Sequence, residues 1–255
     1  LSFKGLLPYY FPMMKGYALK IFVFSLLFLF SCSKEVKKVP SEPLALFQRG
    51  LLLFNEGKFT EAKEVFSRFI SYFPEEKELV ARAELKMADC AFMKKEYPEA
   101  IERYGEFKKR YPFHPDIPYV EFQIGMSYFK QIPSKERDQE NTRKALEAFE
   151  EVVRKYPDTL FAERARDKIG FCKKRLAEHE IYIGKYYLKK GKYQAALSRF
   201  EEALSLKGSG KEEEALFLLA YTAQKSGDKE GFEEYLKLLR ENFPQSRFLG
   251  QLVSK

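Results

Sequence analysis

The chain has 255 residues, with 45 Lys and Arg against 37 Asp and Glu, and a formal net charge of +8. Charge of that size, spread over so many ions of both signs, excludes a nucleic-acid-binding signature and fits a soluble surface with a mild basic bias. Three cysteines, two histidines and no tryptophan leave little material for a disulfide framework or a metal centre.

The amino-terminal segment carries Met13, Met14, Lys15 and Lys20, then the greasy run Ile21–Phe30, then Ser31-Cys32. Met13 is a more natural start than Leu1, so residues 1–12 stand outside the fold. A basic start, a short apolar run and a small residue before the cut make residues 1–31 a signal peptide. The ten-residue run, apolar but for Ser25, spans about 15 Å as a helix, half of a bilayer core, so it is too short to cross a membrane. A leader that stops at cysteine resembles a bacterial lipoprotein signal, which makes Cys32 the acylated first residue of the mature protein. An ordinary signal peptide or an uncleaved anchor is the plainer reading. Removal of residues 1–31 leaves 224 residues and takes away Lys4, Lys15 and Lys20, lowering the charge to about +5.

Residues 32–43 read as a lipidated tether, because Ser33–Pro43 is charged, contains proline and lacks apolar periodicity. Beyond it the chain is self-similar. Gly50, Phe54, Gly57, Phe59, Ala62, Phe66 and Pro74 set an order of small, aromatic, alanine, aromatic and proline residues. The order returns as Ala88, Tyr97, Ala100, Tyr104 and Pro112, then as Gly125, Tyr128, Ala145, Phe149 and Pro157. It returns again as Gly184, Tyr187, Gly191, Tyr193, Ala196 and Phe200, and weakly as Ala220, Gly227, Phe232, Leu236 and Pro244. These resemble tetratricopeptide repeats, which predicts an all-α solenoid of five helical hairpins. The small residues let paired helices approach, the aromatics fill the space between successive pairs, and the prolines end second helices. A polar insert, Gln131–Asn141, interrupts the third repeat. Thr159–Lys190 lacks a breaker and predicts one long helix joining repeats three and four. The expected organisation is residues 44–158 as repeats one to three and residues 159–255 as the long helix with repeats four and five.

Chemistry-bearing motifs are absent: no phosphate-cradling glycine loop, no His-Glu-x-x-His, no paired cysteines. Cys90 and Cys172 fall within apolar helical patterns and read as small buried hydrophobes. His114 in a turn and His179 on the long helix stand apart, and acidic pairs such as Glu75-Glu76 read as solvated faces. No enzyme, metal or cofactor is expected, apart from covalent lipid on Cys32. The inner wall of such an array comes from first helices. On that wall the repeat spacing puts Phe47, Leu51 and Phe54, then Leu85, Phe92 and Met93, then Tyr119, Phe122, Met126 and Phe129. Lys86, Lys94 and Lys95 would edge this aromatic groove, which suits an extended peptide. The plainer account, equally weighted, has the same aromatics packing under neighbouring repeats or the insert. Repeats four and five offer Lys185, Lys189, Gln224 and Lys225, a basic surface.

The stretches Tyr111-Pro-Phe-His-Pro-Asp-Ile-Pro-Tyr119-Val, Gly125-Met-Ser-Tyr128, Arg137-Asp138, Ala145–Phe149, Tyr156-Pro-Asp158 and Arg175–Tyr187 make the mature chain resemble the BamD (YfiO) family, lipoproteins of the machine that folds β-barrels into the bacterial outer membrane. The resemblance implies an outer-membrane lipoprotein on the periplasmic face. It implies that the amino-terminal repeats bind unfolded outer-membrane proteins, for which the groove reading offers Phe47, Leu51, Phe54, Lys86, Phe92, Met93, Phe122 and Phe129. It also implies that the carboxy-terminal repeats dock the barrel-forming subunit, with its periplasmic repeat domains, through Arg199, and the basic surface adds Lys185 and Lys189 as docking candidates. Arg199 read without the resemblance is an exposed helix charge. The turn Phe73-Pro-Glu-Glu-Lys-Glu departs from the smaller, glycine-containing turn of that family. The competing reading is a tetratricopeptide lipoprotein that scaffolds pilus or secretin assembly, or envelope constriction.

Overall fold

The computed structural model describes residues 42–253, which lie in one compact unit. Residues 1–41, with the expected signal peptide, Cys32 and the expected tether up to Ser41, lie outside the described residues. Eleven helices, and no strand, occur among the described residues: α1 (Pro43–Asn55), α2 (Phe59–Tyr72), α3 (Lys77–Met93), α4 (Tyr97–Arg110), α5 (Ile117–Phe129), α6 (Glu140–Lys155), α7 (Leu160–Lys189), α8 (Tyr193–Ser205), α9 (Glu212–Ser226), α10 (Lys229–Asn242) and α11 (Leu249–Val253). Each helix packs on the next in chain order, giving the expected solenoid of hairpins. No helix among the described residues is long and apolar enough to cross a membrane.

The second helices stop for a shared reason. Phe73, Tyr111, Tyr156 and Phe243 each precede a proline, which disfavours helical backbone at the residue before it. All four adopt φ near −130° and ψ near 55–65°, and each still donates its N–H to the carbonyl four residues back. The aromatic rings then turn inward: Phe73 meets Phe69 at 5.7 Å and Tyr111 meets Phe107 at 5.0 Å. The long helix α7 begins with Thr159 as its cap, whose side chain accepts from the Ala162 N–H at 3.2 Å.

Hairpins close through a contact between a small residue and an aromatic ring. A Cβ added at Gly50 would lie 2.6 Å from Phe66 Cε1, and one at Gly125 would lie 2.8 Å from Phe149 Cε1. Gly184 stands in the same relation to Phe200. The aromatics expected between successive pairs thus lie first of all on the small residue of their own pair. All three rings are fully buried, each contributing about 1.5–3 kcal/mol of burial. Turns between the paired helices use left-handed backbone at Gly57, Gly191 and Gly227, with φ of 77°, 69° and 82°. In repeat two the same position is Lys95, with φ of 64°.

The 30-residue α7 is the predicted continuous helix, about 45 Å long. It packs on α6 through Ala165 and Cys172 and on α8 through Ala177 and Ile181. The polar insert ahead of α6 is ordered by Gln139, which solvent does not reach. Gln139 Nε2 donates to the carbonyls of Ser134 and Arg137, both at 2.8 Å, and its Oε1 accepts from Thr142 Oγ1 at 2.7 Å. His179 Nδ1 lies 2.6 Å from the Lys135 carbonyl, tying the insert to α7. Cys90 and Cys172 are free thiols at 0% exposure, buried as expected.

Candidate functional site

On the amino-terminal side, the predicted groove residues divide into two sets. Phe47, Leu85 and Phe122 are core residues, 3%, 6% and 7% exposed, and so do not line a groove. The reason is helical spacing: each lies three residues before the small residue that meets the second helix (Gly50, Ala88, Gly125) and therefore shares its inward face. Phe47 packs on Phe66 and Phe69 at 5.7 and 5.6 Å, and Phe122 on Phe149 and Phe161 at 5.7 and 5.8 Å. Phe54, Phe92 and Phe129 lie four residues after the same small positions and are half-buried. Phe54 and Phe92 staple their hairpin turns by edge contacts to Phe59 and Tyr97 at 5.4 and 5.6 Å. Phe129 meets Phe171 of α7 at 5.0 Å.

What remains open on this side is smaller: Leu51, Phe54 and Lys86, with Met93 at 50% exposure. Lys86 Nζ stands 4.9 Å from the Phe54 ring centroid and donates to Asp89 Oδ2 at 2.7 Å. Asp89, 4% exposed, also accepts from the hydroxyls of Tyr104 at 2.8 Å and Tyr119 at 2.7 Å, so one carboxylate joins α3, α4 and α5. Burial, then the Asp89 charge, push both tyrosine hydroxyls up. Glu121 repeats the device one step along. It accepts from Lys108 Nζ at 2.8 Å and from the Tyr156 hydroxyl at 3.2 Å, joining α4, α5 and the end of α6. Neither carboxylate stood out in the sequence; the available signal was an acid on the apolar face of a first helix.

A second opening lies on the other side of these repeats. A cleft of about 570 Å³ is lined by Thr60, Lys63 and Arg68 of α2, Met87 of α3, Arg103 of α4 and Lys94. Glu99 bridges Lys63 and Arg103, and the hydrogen bond from Lys63 leads in holding its carboxyl below the ordinary value of 4.5. Lys94 pairs with Glu96 at 2.8 Å, away from the predicted groove edge.

The carboxy-terminal candidates gather around α7. Lys185 donates to Glu214 of α9 at 2.7 Å, and Arg199 of α8 donates to Glu180 of α7 at 3.0 Å. Burial works to raise the Glu214 carboxyl, but hydrogen bonds from Lys185 and Lys211 outweigh it and leave it lowered. Lys189 is exposed. Gln224 donates to the Leu252 carbonyl at 3.3 Å, and Lys225 lies 5.5 Å over the Tyr221 ring. The sequence reading passed over two further residues, Tyr182 and Tyr186, exposed by 45% and 58%. With Lys185 and Lys189 they follow the 182, 185, 186, 189 spacing of one helix face. Tyrosine at such positions was readable as an unburied aromatic once the repeat register was set.

These surfaces are of the kind that binds polypeptide. The family model described as "YfiO: Outer membrane lipoprotein" matches residues 40–238. The outer membrane protein assembly factor BamD of Rickettsia prowazekii (strain Madrid E) is 31% identical over 216 residues, covering 84% of this chain and 86% of that protein. The protein of the same name in Caulobacter vibrioides is 32% identical over 204 residues, covering 80% and 67%. Among solved structures, the TPR2AB domain of yeast Sti1 in its pHSP90 complex is similar at 16% identity over 81% of this chain and 80% of that one, with a TM-score of 0.46. With the repeats, the insert and the long helix in place and most of its length matched, the chain belongs to the YfiO family of outer membrane lipoproteins.

Proposed function

We propose that this protein is a non-enzymatic component of the machinery that assembles outer-membrane β-barrel proteins, held on the periplasmic face of the outer membrane by lipid on Cys32. Its α7–α9 surface docks the periplasmic domains of the barrel-forming subunit, and its first three repeats take unfolded barrel segments. The observation that carries this reading is the exposed face of α7, where Tyr182 and Tyr186 alternate with Lys185 and Lys189. Tyrosine and arginine dominate the energetics of protein interfaces, and the lysines select an acidic partner surface. Arg199 of α8, 44% exposed at its side chain, has Glu180 of α7 as its partner in the free protein. A carboxylate of the docked subunit takes the place of Glu180 on complex formation.

For the client segment, Leu51, Phe54, Lys86 and Met93 remain accessible on the first-helix side. Leu51 and Phe54 with the Lys86 cation, and Met93 two turns further along α3, suit an aromatic side chain and a carboxylate. The test is co-purification from detergent-solubilised membranes. Arg199→Glu and the pair Tyr182→Ala, Tyr186→Ala are each expected to weaken recovery of the barrel-forming subunit at least ten-fold, with helical content unchanged. Undiminished recovery with both would refute the docking assignment.

A further inference from the structure

The two ends of the array differ in what they leave uncovered. At the carboxy-terminal end, α10 exposes Glu233, Glu234, Lys237, Arg240 and Glu241, and α11 covers its apolar side through Leu252, 2% exposed. At the other end, α1 exposes Leu44 by 54% and Leu52 by 49%, with Ala45, Gln48 and Arg49 between them. Its opposite side, Leu46, Phe47, Gly50 and Leu53, is already buried. End repeats of a solenoid ordinarily present a polar outer face. α10 does so; α1 presents leucines.

The position of α1 along the chain indicates what covers that face. Cys32 precedes Pro43 by eleven residues, a reach of at most about 40 Å when fully extended. Lys34, Lys37 and Lys38 outnumber Glu35 and Glu42 in that interval of the sequence, and Arg49 lies on the exposed arc of α1. Apolar side chains with a cation among them, preceded by a basic stretch of chain, suit the boundary between anionic headgroups and acyl chains. We propose that the outer face of α1 rests on the phospholipid surface to which the chain is tethered, with Leu44 and Leu52 entering the headgroup layer. This inference rests on the reading of Cys32 as the anchor. Two leucines bind a bilayer too weakly to hold a free protein. A short tether supplies an effective concentration on the order of millimolar, so the contact sets orientation and not attachment.

The chain contains no tryptophan, which makes Leu52→Trp a single fluorescent reporter at an exposed site. The chain from Cys32 onward, retaining every described residue, is coupled through Cys32 to maleimide lipid in phosphatidylethanolamine–phosphatidylglycerol vesicles. Cys90 and Cys172 do not compete, since both are buried and burial pushes their thiols to about 12. Chemical coupling makes the outcome independent of whether cells acylate Cys32, which mass spectrometry of the membrane-extracted protein decides separately. The expected result is a blue-shifted Leu52→Trp emission quenched about two-fold by brominated phospholipid, reduced by Leu44→Ser, with Arg240→Trp on α10 unquenched. Unquenched Leu52→Trp at a water-like wavelength overturns the proposal. A blue shift without quenching also overturns it, because protein then covers the face, either a second copy or residues 33–41. Equal quenching at both ends overturns it as non-specific adsorption.

Discussion

Between α3 and α6 the helices are joined through carboxylates that solvent scarcely reaches, whereas from α7 to α9 the joining ion pairs lie at the surface. Asp89 and Glu121 are each 4% exposed and each serve three partners. In the second region the carboxylates Glu180 and Glu214 are 12% and 28% exposed at their side chains, and their partners are cations only: Arg199 for Glu180, Lys185 and Lys211 for Glu214. A buried carboxylate that accepts from side chains of several helices cannot be removed without stranding its donors, so it fixes the relative placement of neighbouring helices. A surface pair contributes little and can exchange partners at small cost. The first region is therefore built to keep its shape, and the second to trade contacts with a docked protein.

The sharpest way to break this contrast is to delete one carboxylate from each region. Asp89→Ala leaves the Tyr104 and Tyr119 hydroxyls without their acceptor and should lower unfolding free energy by about 3 kcal/mol in urea titration. Glu180→Ala should change it by less than about 1 kcal/mol. Similar losses for the two would show that depth does not separate the regions. A smaller effect of opposite sign is expected at the turn of repeat two. Lys95 occupies a left-handed position that glycine fills in three other repeats, and such backbone costs a side-chain-bearing residue about 1 kcal/mol. Lys95→Gly should raise the thermal midpoint, and an unchanged or lowered midpoint would mean that the lysine side chain compensates through contacts.

The smallest effect concerns pH. The Glu214 carboxyl is lowered below 4.5 in the folded chain, so the native state binds fewer protons there than the unfolded one. Its contribution is complete above the unfolded value and is lost as pH falls through the lowered one. Lys185→Ala should flatten that acid-side slope by roughly 0.5 kcal/mol, read from urea midpoints between about pH 3 and 6. A slope identical to the parent protein would assign the effect to Lys211 alone.

The repeat architecture was legible because its spacing encodes contacts within one hairpin: small residue, aromatic, proline. Gly50 with Phe66 and Gly184 with Phe200 can be paired from the sequence, since the turn between them is short. The long helix was legible from the lack of a breaker over Thr159–Lys190. The groove was less so. Phe47 and Phe54 differ by two turns of helix, and both belong to the hairpin: one is core, the other a turn staple. Asp89 was opaque for a different reason. Its three partners come from three helices, and spacing along one helix says nothing about a carboxylate whose donors lie 15 and 30 residues onward. Gln139, which orders the insert, reads as one more polar residue in a polar stretch until its carbonyl acceptors are seen around it.

The unbroken course of α7 has a consequence for how the array can change over time. Arrays of independent hairpins grow and shrink by gain or loss of whole units. Here one helix is shared by the third repeat and the fourth, so no cut between them leaves two intact hairpins. Duplication or deletion at that junction would remove a wall from one neighbour or the other. The junction of repeats three and four is closed to such changes by geometry, and length can vary only at the other boundaries between hairpins and in loops such as the insert.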